Sequence, residues 1–289
     1  MKNNTDHPCI NSADKTFRIY EESNNVYNQY KSMRENQTYE LAKKLRRDNL
    51  DRLEDNRGIK IDVIDAVMKL DDFVDSSDPD IELSNMNHLF QTAEQMRKDG
   101  LPDWFQLTGF IHDLGKILGY VDNNSNNGTS VDTQWGIVGD TYALGCRLRN
   151  TDVYPELDKL SPDMSKESYN TDLGIYSRKI GLSNLVMTWG HDEYLHDVIE
   201  YNRKLGNVSE AFPYEGSYVI RFHSFYPWHR YEQYKELEDS FDTKTKPLVQ
   251  QFNKYDLYTK ENVKADVENL KGYYQSLIDK YFPNGYLFF

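Results

Sequence analysis

Apolar positions along the chain recur at mixed steps of three and four, the spacing of one helical face. Residues 24–56 place Val26, Tyr27, Tyr30, Met33, Leu41, Leu45 and Leu53 on such a stripe, with charges between them. This predicts one or two amphipathic helices. A second stripe, Ile61, Ile64, Val67 and Met68, predicts a helix over 61–73 that stops near the turn signal Asp78-Pro79. Asn85 is placed to cap a helix to about Lys98, ended by Gly100. Pro102 opens another, expected to run to about Leu118. The polar run DNNSNNGTS, 122–130, reads as a solvated loop without a functional role. Residues 139–180 read as long irregular structure with room for a short hairpin, and long ordered loops inside a domain are often functional. Helical pattern returns at 183–205 with a break at Gly190, then at 209–225, 247–258 and 266–281. No strand alternation persists and no repeat is visible. The expected fold is all-α, a single helical domain over 16–289 with long ordered loops and roughly eight to ten helices. Residues 1–15 are expected to form a disordered tail.

Composition narrows the function classes. Aromatics make up 13% of the chain, with 22 tyrosines, enough for a sizeable core. The net charge of −13 argues against a nucleic-acid partner, which needs clustered Lys and Arg, and fits a protein that handles a small ligand. Two cysteines, Cys9 and Cys146, offer neither a disulfide framework nor a thiolate zinc site, which points to a reducing compartment. No stretch has the length of a membrane span, and the first residues lack the apolar core of a signal peptide. The expected location is the cytoplasm, with no membrane partner.

Candidate chemistry centres on FIHDLGKILGY, 110–120, which sets His112, Asp113 and Lys116 in an apolar frame. Burying them is costly unless something pairs with them. Lys116 paired with Asp113 is one answer, and a metal ligand pair with a cation aimed at substrate is another. His88 lies one helix earlier and can face His112 across a short turn. His191 follows Gly190 near a helix start. His196, five residues on, does not match the His-Glu-x-x-His spacing of zinc proteases and is expected at the surface. His223 sits among aromatics in YVIRFHSFYPWHR and needs a partner, as does the Asp256 carboxylate in FNKYDLYTK. His229, past Pro227, is expected outside that helix with no special role.

The order His88, His112-Asp113 and a distant Asp256 resembles the HD-domain metal proteins, and the added His191 and His223 resemble their dinuclear branch. That order alone leaves open a metal-dependent phosphohydrolase, which would use a metal-bound hydroxide on phosphate and want several cations at its site. It also leaves open a helical scaffold with a regulatory metal. The surrounding words go further: HLFQTAE, IHDLGK, VGDT, TWGHDEY, IRFHSFYPWH, FNKYDLYTK and YYQSLIDKY, in order from about Phe17 onward, resemble the myo-inositol oxygenase family. The resemblance implies a non-haem enzyme with two iron ions per chain, mixed-valence Fe(II)/Fe(III) when active. It implies ring cleavage of myo-inositol with O2 to D-glucuronate and water, and a monomer. On this resemblance the iron ligands are His88, His112, Asp113, His191, His223 and Asp256, with Asp113 bridging. Roughly five positions would stay open on two six-coordinate ions. Lys116 joins Asp113 in catalysis and touches substrate, as do Arg18, Asp75, Ser76, Ser77, Gly139, Asp140, His223 and Ser224. The family has Asp-Glu-Ser where this chain has Asp75-Ser76-Ser77, and loop 122–130 lengthens the approach to QWGIVGDT.

Overall fold

The computed structural model describes residues 24–55, 57–78, 83–149, 152–258 and 264–289. The N-terminal tail and Arg18 lie outside the described residues. Two helices, α1 (Asn24–Asn36) and α2 (Tyr39–Glu54), cover the first apolar stripe, burying Tyr30, Met33, Leu45 and Leu53. Thr38 separates them, its hydroxyl accepting from the Leu41 amide at 3.2 Å as an N-cap. The second stripe is shorter than expected. Lys60–Asp62 is a strand, β1, followed by α3 (Val63–Lys69) and one tight turn at Leu70–Asp72. β1 pairs antiparallel with β2 (Tyr286–Phe288), with Ile61 opposite Leu287. Three residues are too few for an alternation to register in the sequence. The described chain is otherwise all-α, as the pattern predicts.

The next pair, α4 (Asn85–Lys98) and α5 (Asp103–Ile111), packs side by side. Phe110 on α5 stacks on Tyr274 with centroids 4.4 Å apart, and Phe90 on α4 meets Phe110 edge-on. The helix expected through Leu118 is instead broken after Ile111. A tighter turn, Leu114–Ile117, leads into the one-turn α6 (Leu118–Val121). The turn packs closely on α7: a Cβ on Gly115 would lie 2.1 Å from the His191 carbonyl oxygen. Loop 122–130 is exposed only in its first half, since Gly128, Thr129 and Ser130 turn inward and are buried. Among the described residues, 139–180 form successive short turns at Pro155–Leu160, Pro162–Ser165 and Glu167–Tyr169, and no hairpin.

Gly190 is the break foreseen at 183–205. The chain before it is extended, bridging Met187 to Ala143, and α7 (His191–Lys204) starts directly after it. The following pattern resolves into α8 (Tyr214–Phe222) and the one-turn α9 (Tyr226–His229). Then come α10 (Ser240–Tyr258) and α11 (Val267–Tyr281). Pro247 sits inside α10 rather than opening it, so the helix gives up one backbone bond there. Val249 and Phe252, buried just beyond, hold the helix against the core. No helix among the described residues is long and apolar enough to cross a membrane.

One ion pair fixes the two helices that matter most for the site. Arg221 on α8 grips Glu193 on α7 through two bonds of 2.7 and 2.8 Å, both residues only 2% exposed. Arg46 on α2 reaches the same carboxylate at 2.6 Å. Removing Arg221 takes two charge-assisted bonds from Glu193 but leaves it Arg46 as counter-charge. Arg221→Ala is therefore expected to cost about 2–3 kcal/mol in a denaturant titration. A loss under 1 kcal/mol would mean that α7 and α8 are held by their apolar contacts alone.

Candidate metal centre

Five helices deliver six side chains to one buried place, each from near a helix end. His88 stands in the first turn of α4, His191 is the first residue of α7, and Asp256 lies in the last turn of α10. His112 and His223 immediately follow α5 and α8. The last carbonyls of a helix have no partner within it, and these two histidines use them. His112 donates its Nδ1–H to the Gly109 carbonyl (2.8 Å) and His223 to that of Ile220 (2.7 Å). His191 donates its Nδ1–H to the Ile137 carbonyl at 2.7 Å. These bonds set the tautomer and turn three Nε2 lone pairs inward.

The inward atoms fall into two groups that share Asp113. On one side, Asp256 Oδ1 is 2.9 Å from His88 Nε2 and 3.4 Å from His112 Nε2, while Asp113 Oδ2 is 3.6 Å from His112 Nε2. On the other, Asp113 Oδ1 is 3.1 Å from His191 Nε2 and 3.6 Å from His223 Nε2, and those two nitrogens are 3.4 Å apart. Ligand atoms about 2.1 Å from an ion and at right angles stand about 3 Å apart, so both groups have coordination spacing. His112 Nε2 has no hydrogen-bond partner although fully buried, an orphan atom aimed at the place an ion would fill.

Charge is arranged to match. Burial alone would raise the carboxyls of Asp113 and Asp256, yet both are held well below the usual range. Lys116, then His112, hold Asp113 down, and His112 and His88 hold Asp256 down. Burial would strip the proton from His191, but Asp192 and Asp113 push its pKa up to about 10. A metal ion would take over from that proton. Nitrogen and carboxylate donors without thiolate suit first-row ions, iron among them.

The expected substrate residues gather beside these groups. Lys116 Nζ lies between Asp75 Oδ2 at 2.7 Å and Asp113 Oδ2 at 2.8 Å. The ion pair with Asp113 is thus real, and Lys116 still faces the cavity. That cavity is lined by Asp75, Ser77, Lys116, Gly139, Asp140 and Ser224 together with His88, Asp113, His191, His223 and Asp256. Gly139 has φ +101° and backs onto the Met33 sulfur, so a side chain there would be strained and crowded. Ser76 does not line the cavity. Its amide and hydroxyl both bond Gln134 Oε1, at 3.1 and 2.9 Å.

Four residues escaped the sequence reading, and His196 was misplaced. Asn85, taken for a helix cap, donates its amide to Asp113 Oδ2 at 2.8 Å, and Ser84 occupies the cap position. Asp192 lies 2.6 Å from His191 Nε2 and accepts from Thr141 at 2.5 Å. Its signal was present, since His191-Asp192 repeats the His-Asp dipeptide of 112–113. Tyr30 donates to Asp140 at 3.0 Å, and with Tyr226 it lines the cavity. Neither tyrosine stood out from an ordinary amphipathic face. His196, expected at the surface, is buried with its ring edge-on to Tyr214. His229 lies outside α8 as expected, buried at the end of α9 and donating Nε2–H to the His223 carbonyl at 2.8 Å.

Comparison with known proteins bears on this geometry. A family model described as myo-inositol oxygenase matches residues 23–288. An inositol oxygenase of Dictyostelium discoideum is 44% identical over 95% of this chain and 90% of its own length. One of Danio rerio is 41% identical over 96% and 95%, and one of Mus musculus 46% over 78% and 74%. A match over nearly the whole described chain, around a buried histidine and carboxylate cluster, places this protein in the myo-inositol oxygenase family.

Proposed function

We propose that this protein is a di-iron oxygenase that opens the ring of myo-inositol with O2, giving D-glucuronate and water. Family membership makes it an oxygenase acting on inositol. The observation that best supports two ions is Asp113, which turns one oxygen to each of the two donor groups. His88, His112 and Asp256 would hold one ion, His191 and His223 the other, with Asp113 between them in an HD-type arrangement. When bound, iron supplies the redox chemistry with O2 and acidifies a coordinated hydroxyl.

The chain's own groups do the rest. Lys116, ammonium at neutral pH because Asp113 and Asp75 outweigh its burial, can stabilise an alkoxide by a charge-assisted hydrogen bond. Asp75, Ser77, Asp140 and Ser224 offer acceptors and donors for the remaining hydroxyls, which favours a polyol that satisfies them all. Burial of Lys116 and of every candidate ligand keeps bulk water away. A phosphohydrolase of the same superfamily is not favoured, because Lys116 is the one lysine or arginine lining the described cavity. We place the enzyme in the cytoplasm as a monomer, and its charge of −13 supports small-molecule substrates over a nucleic-acid partner.

Anaerobic loading with Fe(II), partial oxidation, addition of myo-inositol and then O2 is expected to yield D-glucuronate at two irons per chain. Iron-loaded, partly oxidised protein that makes none would sink the oxygenase reading, and phosphate release from nucleotides would revive its rival.

A further inference from the structure

Gln134 sits where two parts of the cavity wall meet, yet it does not line the cavity. Its backbone is left-handed at φ +45°, which a side chain other than glycine holds only when its surroundings enforce it. Its amide head is fully used. Oε1 accepts both the Ser76 amide (3.1 Å) and the Ser76 hydroxyl (2.9 Å), while Nε2 donates to the carbonyls of Val74 (3.2 Å) and Val131 (2.8 Å). The residue is 7% exposed, so these bonds are made away from solvent. Its main chain serves a different end. The Gln134 carbonyl accepts from Ile137 and Val138, and the Ile137 carbonyl in turn accepts from both the His191 amide and the His191 ring.

The segment that the side chain grips carries Asp75 and Ser77 on either side of Ser76. Asp75 lies 2.7 Å from Lys116 and takes two bonds from Ser77, at 2.8 and 2.6 Å. All three of these residues line the cavity. Among the described residues, apart from Ser77 and Asp78, which belong to the same turn, and Lys116, which faces the cavity, the polar anchor of this segment is the Gln134 amide. We infer that Gln134 is a positioning residue for polyol binding: its side chain clamps the Val74–Ser77 segment so that Asp75 and Lys116 meet substrate, while its main chain separately supports His191. The inference rests on the cavity being the inositol site.

The split between side chain and main chain makes a clean test. Gln134→Gly keeps the left-handed turn without strain and removes only the clamp; Gln134→Leu removes the amide at similar size. Two measurements are made on the iron-loaded enzyme. Hydrogen exchange at the Ser76 amide, which needs no turnover, is expected to speed up at least tenfold in Gln134→Gly while the helices stay protected. The KM for inositol is expected to rise about tenfold, with kcat and iron content unchanged, the lower end of what supporting residues contribute. Ser76→Ala, which loses one of the two bonds, should give a smaller rise. Unchanged exchange, or faster exchange with unchanged KM in an active enzyme, would overturn the clamp. So would kcat and iron falling together with stability, since that is a merely structural role. If wild-type protein makes no glucuronate, the function fails first, and the exchange result then speaks for the clamp alone.

Discussion

Lys116→Ala is expected to bind inositol about 10–100-fold more weakly while still carrying two irons. The ammonium stands between two buried carboxylates, 2.7 Å from Asp75 and 2.8 Å from Asp113. Removing it leaves the buried Asp75 without its counter-charge, while Asp113 keeps His191 at 3.1 Å, and in metal-free protein the loss should cost about 3–5 kcal/mol. In iron-loaded protein the loss should be smaller, because cations at the shared carboxylate take over part of the balance. The pH dependence carries its own sign. Burial would raise the Asp75 carboxyl, but Lys116 and Ser77 hold it below its ordinary value. A depressed folded pKa contributes stability that is present above about pH 4 and lost as pH falls through the lowered value. Without Lys116, burial meets only the Ser77 bonds and the carboxyl shifts upward. The sign then reverses, and metal-free Lys116→Ala should gain stability on going from pH 7 to pH 4. Denaturant titrations at both pH values, with Lys116→Met to keep the packing, measure this. A variant that loses iron but keeps its inositol affinity would show that Lys116 serves the metals and not the substrate.

Gly115→Ala should be more damaging than any other single methyl in the HDLGK turn. The added carbon would lie 2.1 Å from the His191 carbonyl oxygen, 2.8 Å from its carbonyl carbon and 3.0 Å from its Cα. All three are backbone atoms at the start of α7, so no side chain can swing aside. Overpacking typically costs about 1–3 kcal/mol, and a backbone clash this deep belongs at or above the upper end. Relief can come only by moving α7 away, and His191 with it. The His191 and His223 group should then lose its ion first, leaving iron near one per chain, while His88, His112 and Asp256 keep theirs. Gly119→Ala is the control, since its nearest neighbours are side-chain carbons at 3.2 Å. If Gly115→Ala retained two irons and wild-type stability, the close approach of the turn to α7 would have no bearing on the site.

Helix content was legible because it leaves marks in spacing, and several residues that the fold gathers at the candidate centre stood out as ionisable groups in apolar surroundings. The stripes at Val26–Leu53 and Ile61–Met68 follow from helical geometry, and ionisable residues in apolar frames at His112, His223 and Asp256 demand partners. What the pattern could not carry was departure from regular geometry. The turn that follows the break after Ile111 packs, at Gly115, against a residue 76 positions away. No local window contains that contact. The same limit hid Tyr30, whose hydroxyl finds Asp140 110 residues on. Ser76 was misassigned for a related reason: its neighbours Asp75 and Ser77 line the cavity, and only the fold shows that its own bonds point to Gln134. Asp192 is the exception, because its dipeptide repeated a motif already read as chemically meaningful.

The separation of the donor residues along the chain has a kinetic consequence. His88 and Asp256 meet across 168 residues, and each ligand pair joins different helices. Contacts between residues so far apart cannot reward the chain until the segments between them have been ordered, so they form late. The donor set is therefore complete only once the helices that carry it have docked, so a metal that needs all of these groups at once would have to meet the folded chain.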